Sequence, residues 1–367
     1  MKFYVAPMEG ITGYIFRNAL AKYFKEGIDK FYTPFLVPCE KRALSAKEKG
    51  EVLPSNNAGL NVVPQILTID SGDFTRLKKE LRELGYTEVN LNLGCPSRTV
   101  ASKGRGAGAL SDVNALDRLL DGIFADGDRD ISVKTRIGID DSAEFAAIMD
   151  VYRKYPIKEL IVHPRTLHEQ YGGKPHVDVF AREALGKFVI SKEADGSASV
   201  VDEASVAGTN FVADAAFETK ICYNGDICSV KDYEELVAKV ANSGNADAVN
   251  SGCAVAENSG NADAVNSGLE AVMIGRGILR NPGLIREITT GVVATNEEIG
   301  AFLDELLCDY SAVFSGERPV LFKMKEIWSY LRTRYPECEK EIKKLIKCKS
   351  IAEYKVMQKV ILRTYVN

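Results

Sequence analysis

Several things are scarce in this sequence, and each absence closes off a class of protein. The start, Met1-Lys2-Phe3-Tyr4-Val5-Ala6-Pro7-Met8-Glu9-Gly10, has no apolar run long enough for a secretory signal. No stretch approaches the ~20 apolar residues that a membrane span requires. There are three histidines and eight scattered cysteines. Cys222 and Cys228 are the closest pair, and no histidine or third cysteine stands at a finger-like distance from them. No metal site is therefore expected, nor a membrane partner, and the thiols read as reduced in a cytoplasmic protein. With 46% hydrophobic and 27% charged residues, disorder is excluded as well.

Net charge is also scarce, at -4 over 367 residues, which on its face argues against a nucleic-acid binder. The distribution reverses that reading. Residues 318–367 hold 13 Lys and Arg against 5 Glu, while the rest of the chain holds 34 basic and 46 acidic residues. A basic tail on an acidic body points to a polyanionic partner for the tail alone.

What is present is a strong alternation. Runs rich in Val, Ile, Tyr and Phe occur at 3–6, 30–35, 61–67, 88–93, 131–136, 159–163, 220–224 and 271–274. Several are almost continuously apolar, as strands covered on both faces should be. Helical patterns lie between them, at 13–24, 72–84, 113–124, 142–153, 177–184 and 230–240. Eight strand–helix repeats predict an α/β fold, a parallel (β/α)8 TIM barrel, with an open doubly wound sheet as the competitor. The sixth-to-seventh and seventh-to-eighth strand spacings, 61 and 51 residues, are too long for one βα unit each. Polar insertions at 191–219 and 242–268 account for the excess, the second repeating Asn-Ser-Gly-Asn-Ala-Asp-Ala-Val-Asn-Ser-Gly twice. Both follow a helix and precede a strand, so they belong on the face away from the strands' C-terminal ends. Beyond Pro282 the pattern is helical only, at 297–314, 320–333, 337–348 and 350–364. The reading is a barrel over 1–290 and a small all-helical domain over 295–367.

A barrel carries its chemistry at the C-terminal ends of its strands, and polar residues collect there one strand after another. They are Pro7 and Met8, Gln65, Asn92 with Gly94-Cys95-Pro96, Lys134 and Arg136, His163 and Arg165, Asn224-Gly225-Asp226, and Gly275-Arg276. Taken singly, each has a structural explanation as a cap, a turn or a buried ion pair. Their convergence on one rim favours a site. Glycines after the last two strands, with Arg276 beside them, suit a phosphate. A lysine in the mouth suits an anionic ring, and Gln65 with Asn92 can read amide edges. These features fit a phosphorylated, amide-bearing aromatic cofactor such as FMN. The run Gly104-Arg105-Gly106-Ala107-Gly108 lies too far from its strand for a dinucleotide fingerprint and reads as a flexible loop. His168 and His176 receive no role.

The motifs Ala6-Pro7-Met8, Asn92-Leu93-Gly94-Cys95-Pro96, Lys134-Thr135-Arg136, His163, Asn224-Gly225-Asp226-Ile227 and Gly275-Arg276 resemble those of tRNA-dihydrouridine synthases. The resemblance runs from residue 3 to about 288, with the helical tail where that family has its RNA-binding domain. It implies FMN as cofactor, NADPH or NADH as reductant, and reduction of uridine in tRNA to 5,6-dihydrouridine. By residue it implies that Pro7, Met8, Gln65, Lys134, His163, Asn224, Gly225, Asp226, Gly275 and Arg276 hold FMN. Cys95 becomes the catalytic acid, and Asn92 helps to hold the uracil. Arg136, Arg165, Lys323 and Lys325 are assigned to the substrate, with Arg332 and Arg334 expected on the same tail helix as the two lysines. A monomer is the default state. Two alternatives remain: a flavin barrel acting on a free pyrimidine or dihydroorotate-like molecule, and an RNA-binding protein without chemistry. Gly13 and Pro34 depart from the family pattern, which often has acidic residues at both positions.

Overall fold

The computed structural model describes residues 1–38, 44–186, 188–192, 198–202, 218–244 and 268–364. Eight parallel strands form the centre: β1 (Lys2–Val5), β2 (Lys30–Tyr32), β3 (Val62–Val63 and Gln65–Ile66, either side of Pro64), β4 (Val89–Leu93), β5 (Ile131–Arg136), β6 (Glu159–His163), β7 (Lys220–Tyr223) and β8 (Leu269–Ile274). Each pairs with its sequence neighbours, and β8 pairs with β1 in register from Lys2 with Ala271 to Val5 with Ile274. The first half of β3 bonds to β2 and the second half to β4. The two apparent sheet edges are therefore one strand, and the sheet closes. The doubly wound alternative, which needs two free edges, is excluded; the barrel is the fold.

Strand alternation divides the core. Tyr4, Ala6, Tyr32, Val63, Ile161, Cys222, Ala271 and Met273 point inward and form a cluster inside the barrel. Phe3, Val5, Leu91, Val133 and Leu160 point outward into a larger cluster with the helices. Those helices are α1 (Tyr14–Phe24), α2 (Ala46–Val52), α3 (Ser71–Glu83), α4 (Arg98–Ala101), α5 (Val113–Phe124), α6 (Glu144–Tyr152), α7 (Val177–Ala184) and α8 (Val230–Gly244). Two short helices, α9 (Arg276–Arg280) and α10 (Leu284–Thr290), close the barrel's last turn. Four more follow: α11 (Asn296–Val313), α12 (Glu317–Leu331), α13 (Glu339–Lys347) and α14 (Ile351–Thr364). This helical region docks on α1, where Phe302 meets Phe16 and Phe24 edge-on at 5.7 and 5.8 Å. Trp328, fully buried, donates from its indole to the Tyr354 hydroxyl at 2.9 Å, which fastens α12 to α14. Among the described residues no helix is long and apolar enough to cross a membrane, and no three His, Cys, Asp or Glu gather as a metal site.

Two expectations change. The insertion expected at 191–219 begins earlier and contains an antiparallel hairpin, Phe188–Lys192 with Ala198–Asp202. The repeated segment lies almost wholly outside the described residues. Arg332 and Arg334 are not on α12 but in a 3-10 turn just past it, and Arg334 donates at 2.5 Å to the Ala294 carbonyl instead of standing free for phosphate.

Gly13 is explained by its neighbour. It is the N-cap of α1 without a capping side chain, and the Glu51 carboxylate of α2 takes that task, accepting the Tyr14 N–H at 2.9 Å. A Cβ on Gly13 would stand 2.7 Å from Glu51 Oε1. Glu51 also accepts from buried Arg17 at 2.9 Å, so it cannot easily withdraw. Restoring the acidic residue with Gly13→Asp is therefore expected to destabilise the fold by about 1–3 kcal/mol. Thermal unfolding of the variant checks this; a rise in Tm would contradict the capping assignment.

Candidate active site

The C-terminal rim of the barrel encloses a cavity. Lining it are Pro7 and Met8 after β1, Lys134 and Arg136 of β5, His163 of β6, Asn224, Gly225 and Asp226 after β7, and Gly275 and Arg276 after β8. Nine of the ten residues expected to hold a cofactor are thus brought together. Gln65 is the exception, buried just below.

Charge in the cavity is unbalanced. Lys134 is half-buried in the barrel mouth and forms no hydrogen bond or ion pair with the described residues; desolvation there, then the charge of Arg136, push its pKa down to about 8. Burial, followed by the Arg136, Lys134 and Arg165 charges, holds His163 well below the ordinary histidine value, so it is neutral at physiological pH. Its Nδ1 is buried without a partner. Among the described lining residues the one carboxylate, Asp226, is shared: Arg165 donates to Oδ2 at 2.5 Å and Arg276 donates to Oδ1. Burial pushes that carboxyl up, but the hydrogen bond from Arg165 and the Arg276 charge outweigh it, and its pKa falls below the usual range. Lys134, Arg136 and Arg276 therefore face a space with one carboxylate, a setting that calls for an anion.

Glycines shape the far side. A Cβ on Gly225 would fall 2.0 Å from the Tyr223 hydroxyl, and one on Gly277 would fall 2.1 Å from the Ile227 carbonyl. The protein's own atoms fill the space a Cβ would take, so only glycine packs at these two positions beside Arg276. The unpaired Lys134, the orphaned His163 nitrogen and the Arg276 guanidinium at the cavity wall together fit a phosphorylated, electron-accepting ring.

Cys95 follows Gly94, which lines the cavity, on a loop held by four hydrogen bonds from three residues. Asn92 Oδ1 accepts the Gly94 and Cys95 N–H groups at 3.1 and 3.0 Å. Arg136 Nε donates to the Gly94 carbonyl at 3.1 Å, and the Ala107 N–H donates to the Cys95 carbonyl at 3.1 Å. Burial pushes the thiol's pKa up, against the opposing Lys134 and Arg136 charges, so it is protonated at neutral pH. The glycine run expected to be a flexible loop is instead a buried 3-10 segment, Gly106–Ser111. Gly106, at φ +58°, allows approach to Cys95, since a Cβ there would lie 2.8 Å from the Cys95 carbonyl. These glycines serve contact, not motion.

The residues assigned to the substrate are differently placed. Asn92 and Gln65 do not present free amides: Asn92 Nδ2 donates to Gln65 Oε1 at 2.7 Å. Arg136 donates to the Thr166 and Gln170 carbonyls at 2.8 Å, and Arg165 to those of Gly172 and Gly173 at 2.9 and 2.8 Å. Both arginines curl the loop after β6, although Arg136 also lines the cavity. Lys323 of α12 donates to the Gly10 carbonyl beside the β1 end, and Lys325 to the Cys348 carbonyl at the end of α13. His168 and His176, given no role, sit against Asp140 at 2.5 Å and Glu169 at 2.7 Å.

Sequence reasoning missed Tyr171. It is 53% exposed at the tip of the curled loop, with Arg276 over its ring at 4.7 Å, Arg136 at 5.5 Å and His163 edge-on at 6.2 Å. The signal available was an aromatic directly before two glycines on a loop that follows a rim strand.

Residues 4–180 match the family model described as dihydrouridine synthase. Over these residues, just under half of the chain, the sequence is similar to dihydrouridine synthases. It is 24% identical over 355 residues to the tRNA-dihydrouridine(16) synthase of Cupriavidus necator, covering 92% of this chain and 89% of that protein. It is 25% identical over 283 residues to a probable tRNA-dihydrouridine synthase of Staphylococcus aureus, covering 76% and 69%. Among solved structures, a morphinone reductase aligns with 82% of this chain and 88% of its own at 10% identity, with a TM-score of 0.46. Within the matched residues, the Cys95 segment and Lys134-Thr135-Arg136 stand on adjacent strand ends, β4 and β5.

Proposed function

We propose that this protein is an FMN-dependent tRNA-dihydrouridine synthase of the cytoplasm, with residues 1–290 as the catalytic domain and 295–367 as the tRNA-binding domain. The observation that carries the proposal is a cationic cavity, with an unpaired Lys134, beside a protonated and rigidly held Cys95. FMN, if bound and re-reduced by NADPH or NADH, would supply hydride chemistry for C6 of uracil.

Every other part of the reaction falls to residues of the chain. Lys134 offers a positive charge to an anionic ring, and neutral His163 offers a hydrogen bond without adding charge. Arg276 and the bare backbone at Gly225 and Gly275 would take the phosphate, with Asp226 and Arg165 fixing Arg276 in place. Cys95 Sγ holds the proton that goes to C5, and the resulting thiolate is stabilised by Lys134 and Arg136 until solvent restores the proton. The target base must leave its stack to reach the rim, which costs least at an accessible loop of a folded RNA.

The tail supports an RNA substrate. Arg318, Lys344, Lys347 and Lys349 are exposed, and Phe322 is 68% exposed on the same α12 as Lys323. Cations beside an open aromatic face suit a phosphate backbone with an unstacked base.

The test is direct. The purified protein should be yellow, should oxidise NADPH faster in the presence of unmodified tRNA, and should leave dihydrouridine in that tRNA. Position 16, carried in the name of one relative, is the first to map. Rapid reduction of free uracil without any RNA would overturn the substrate assignment. Removing the tail's charge through Arg318→Ala, Lys344→Ala and Lys347→Ala should raise KM for tRNA roughly tenfold at physiological salt, with less effect at low salt. An unchanged KM would dissociate the tail from binding.

A further inference from the structure

The interior of the barrel contains a polar column that the reaction does not account for. On β4 and just before it, Glu88, Asn90 and Asn92 all point inward, as residues two apart must. At the foot, Glu88 lies between two lysines, Lys30 at 3.0 Å and Lys158 at 3.3 Å. Lys30 also meets Glu159 at 2.9 Å. The Ser132 hydroxyl donates to Glu88 Oε1 at 2.9 Å; its other contact, the Val89 carbonyl at 3.5 Å, is longer. Asn90 Nδ2 donates to Ser132 Oγ at 3.0 Å, and Gln65 Nε2 donates to Asn90 Oδ1 at 2.8 Å. Asn92 Nδ2 donates to Gln65 Oε1, and Asn92 Oδ1 receives the Gly94 and Cys95 amides. Ser132, Asn90, Gln65 and Asn92 are all buried.

The direction of this column is set at its foot. A carboxylate only accepts hydrogen bonds, and a serine hydroxyl has a single proton. Once that proton goes to Glu88, Ser132 can only accept from the Asn90 amide. Asn90 must then turn its oxygen toward Gln65, Gln65 its oxygen toward Asn92, and Asn92 its oxygen toward the loop. A reversed column would aim the Asn92 NH2 at two backbone N–H donors. We propose that Glu88 and Ser132 are positioning residues for Cys95, fixing through Asn90, Gln65 and Asn92 the one amide orientation that holds the acid's loop. This inference rests on the reading of Cys95 as the proton donor.

The experiment uses the full-length holoenzyme with Ser132→Ala, Glu88→Gln and the double variant. Ser132→Ala interrupts the column, whereas Glu88→Gln keeps its shape but lets the foot donate, removing the polarity. Each single variant is expected to lower kcat for tRNA reduction roughly 10- to 100-fold, the scale of a small misplacement of a reacting group. KM for tRNA and the rate of flavin reduction by NADPH should stay within about twofold. The double variant should be no worse than the poorer single one, because both break one chain. Amide hydrogen exchange over 89–97 should quicken in both variants. Unchanged kcat overturns the proposal, as does an equal loss in flavin reduction or fully additive effects, which would mark a general loss of packing. If the wild-type enzyme reduces no tRNA uridine, the functional reading fails separately. Hydrogen exchange then decides the column alone: unchanged protection at Gly94 and Cys95 would overturn it.

Discussion

Cys95→Ala should lower tRNA uridine reduction by about 10²–10⁴-fold, the usual worth of a positioned proton donor, while NADPH still bleaches the bound flavin at the wild-type rate. The two halves separate because the thiol touches only the second. Its pKa is raised by burial, so at neutral pH the proton is present to be given. The Gly94–Cys95 backbone is pinned by Asn92, Arg136 and Ala107, and alanine leaves those contacts intact. Folding and flavin content should therefore survive, which makes the variant clean. Cys95→Ser should recover little, since a hydroxyl is a far weaker acid. Single-turnover mixing of the reduced holoenzyme with tRNA measures the step. A rate within threefold of wild type would remove Cys95 from the chemistry.

Lys134→Met should weaken FMN binding by roughly 10- to 100-fold near pH 7, the loss of one charged hydrogen bond at about 1.5–3 kcal/mol, and should also abolish a pH dependence. Burial and Arg136 bring the Lys134 pKa from 10.5 down to about 8. Below pH 8 the ammonium is already present to meet the ligand. Above it, binding must draw in a proton, so the wild-type Kd should climb toward tenfold per pH unit between pH 8 and 9. Methionine has no proton to gain, and its Kd should stay flat across that range. Quenching of FMN fluorescence during titration reads both curves. A flat wild-type curve would mean that Lys134 does not face the bound ring.

The barrel itself was legible because its strands are buried on both faces. Ile131–Arg136, Glu159–His163 and the helix Val113–Phe124 occupy the residues their hydrophobic patterns mark. The rim residues were legible for a related reason: a polar side chain at the end of an apolar strand has few structural alternatives. Partnership was not legible. Asn92 and Gln65 look like two recognition amides in sequence and prove to be partners across 27 positions. Arg165 looks available until the fold brings Asp226 to it from 61 residues away. Glycine misled in a different way at Gly106–Gly108, because the same lack of a Cβ that permits motion also permits close contact. Which of the two applies depends on what lies opposite, and that is a property of the folded chain.

The carboxylate of Glu51 has a bearing on how this protein reaches its fold. The first turn of α1 receives its cap from a residue 37 positions later, and Arg17 in that helix is bonded to Glu51 and Asn57 of the same distant segment. Helix α1 therefore lacks the local signal that would let it start alone, and its N-terminus should remain frayed until α2 arrives. The first two βα units are then one cooperative folding step, and native-state hydrogen exchange should find α1 and α2 opening together.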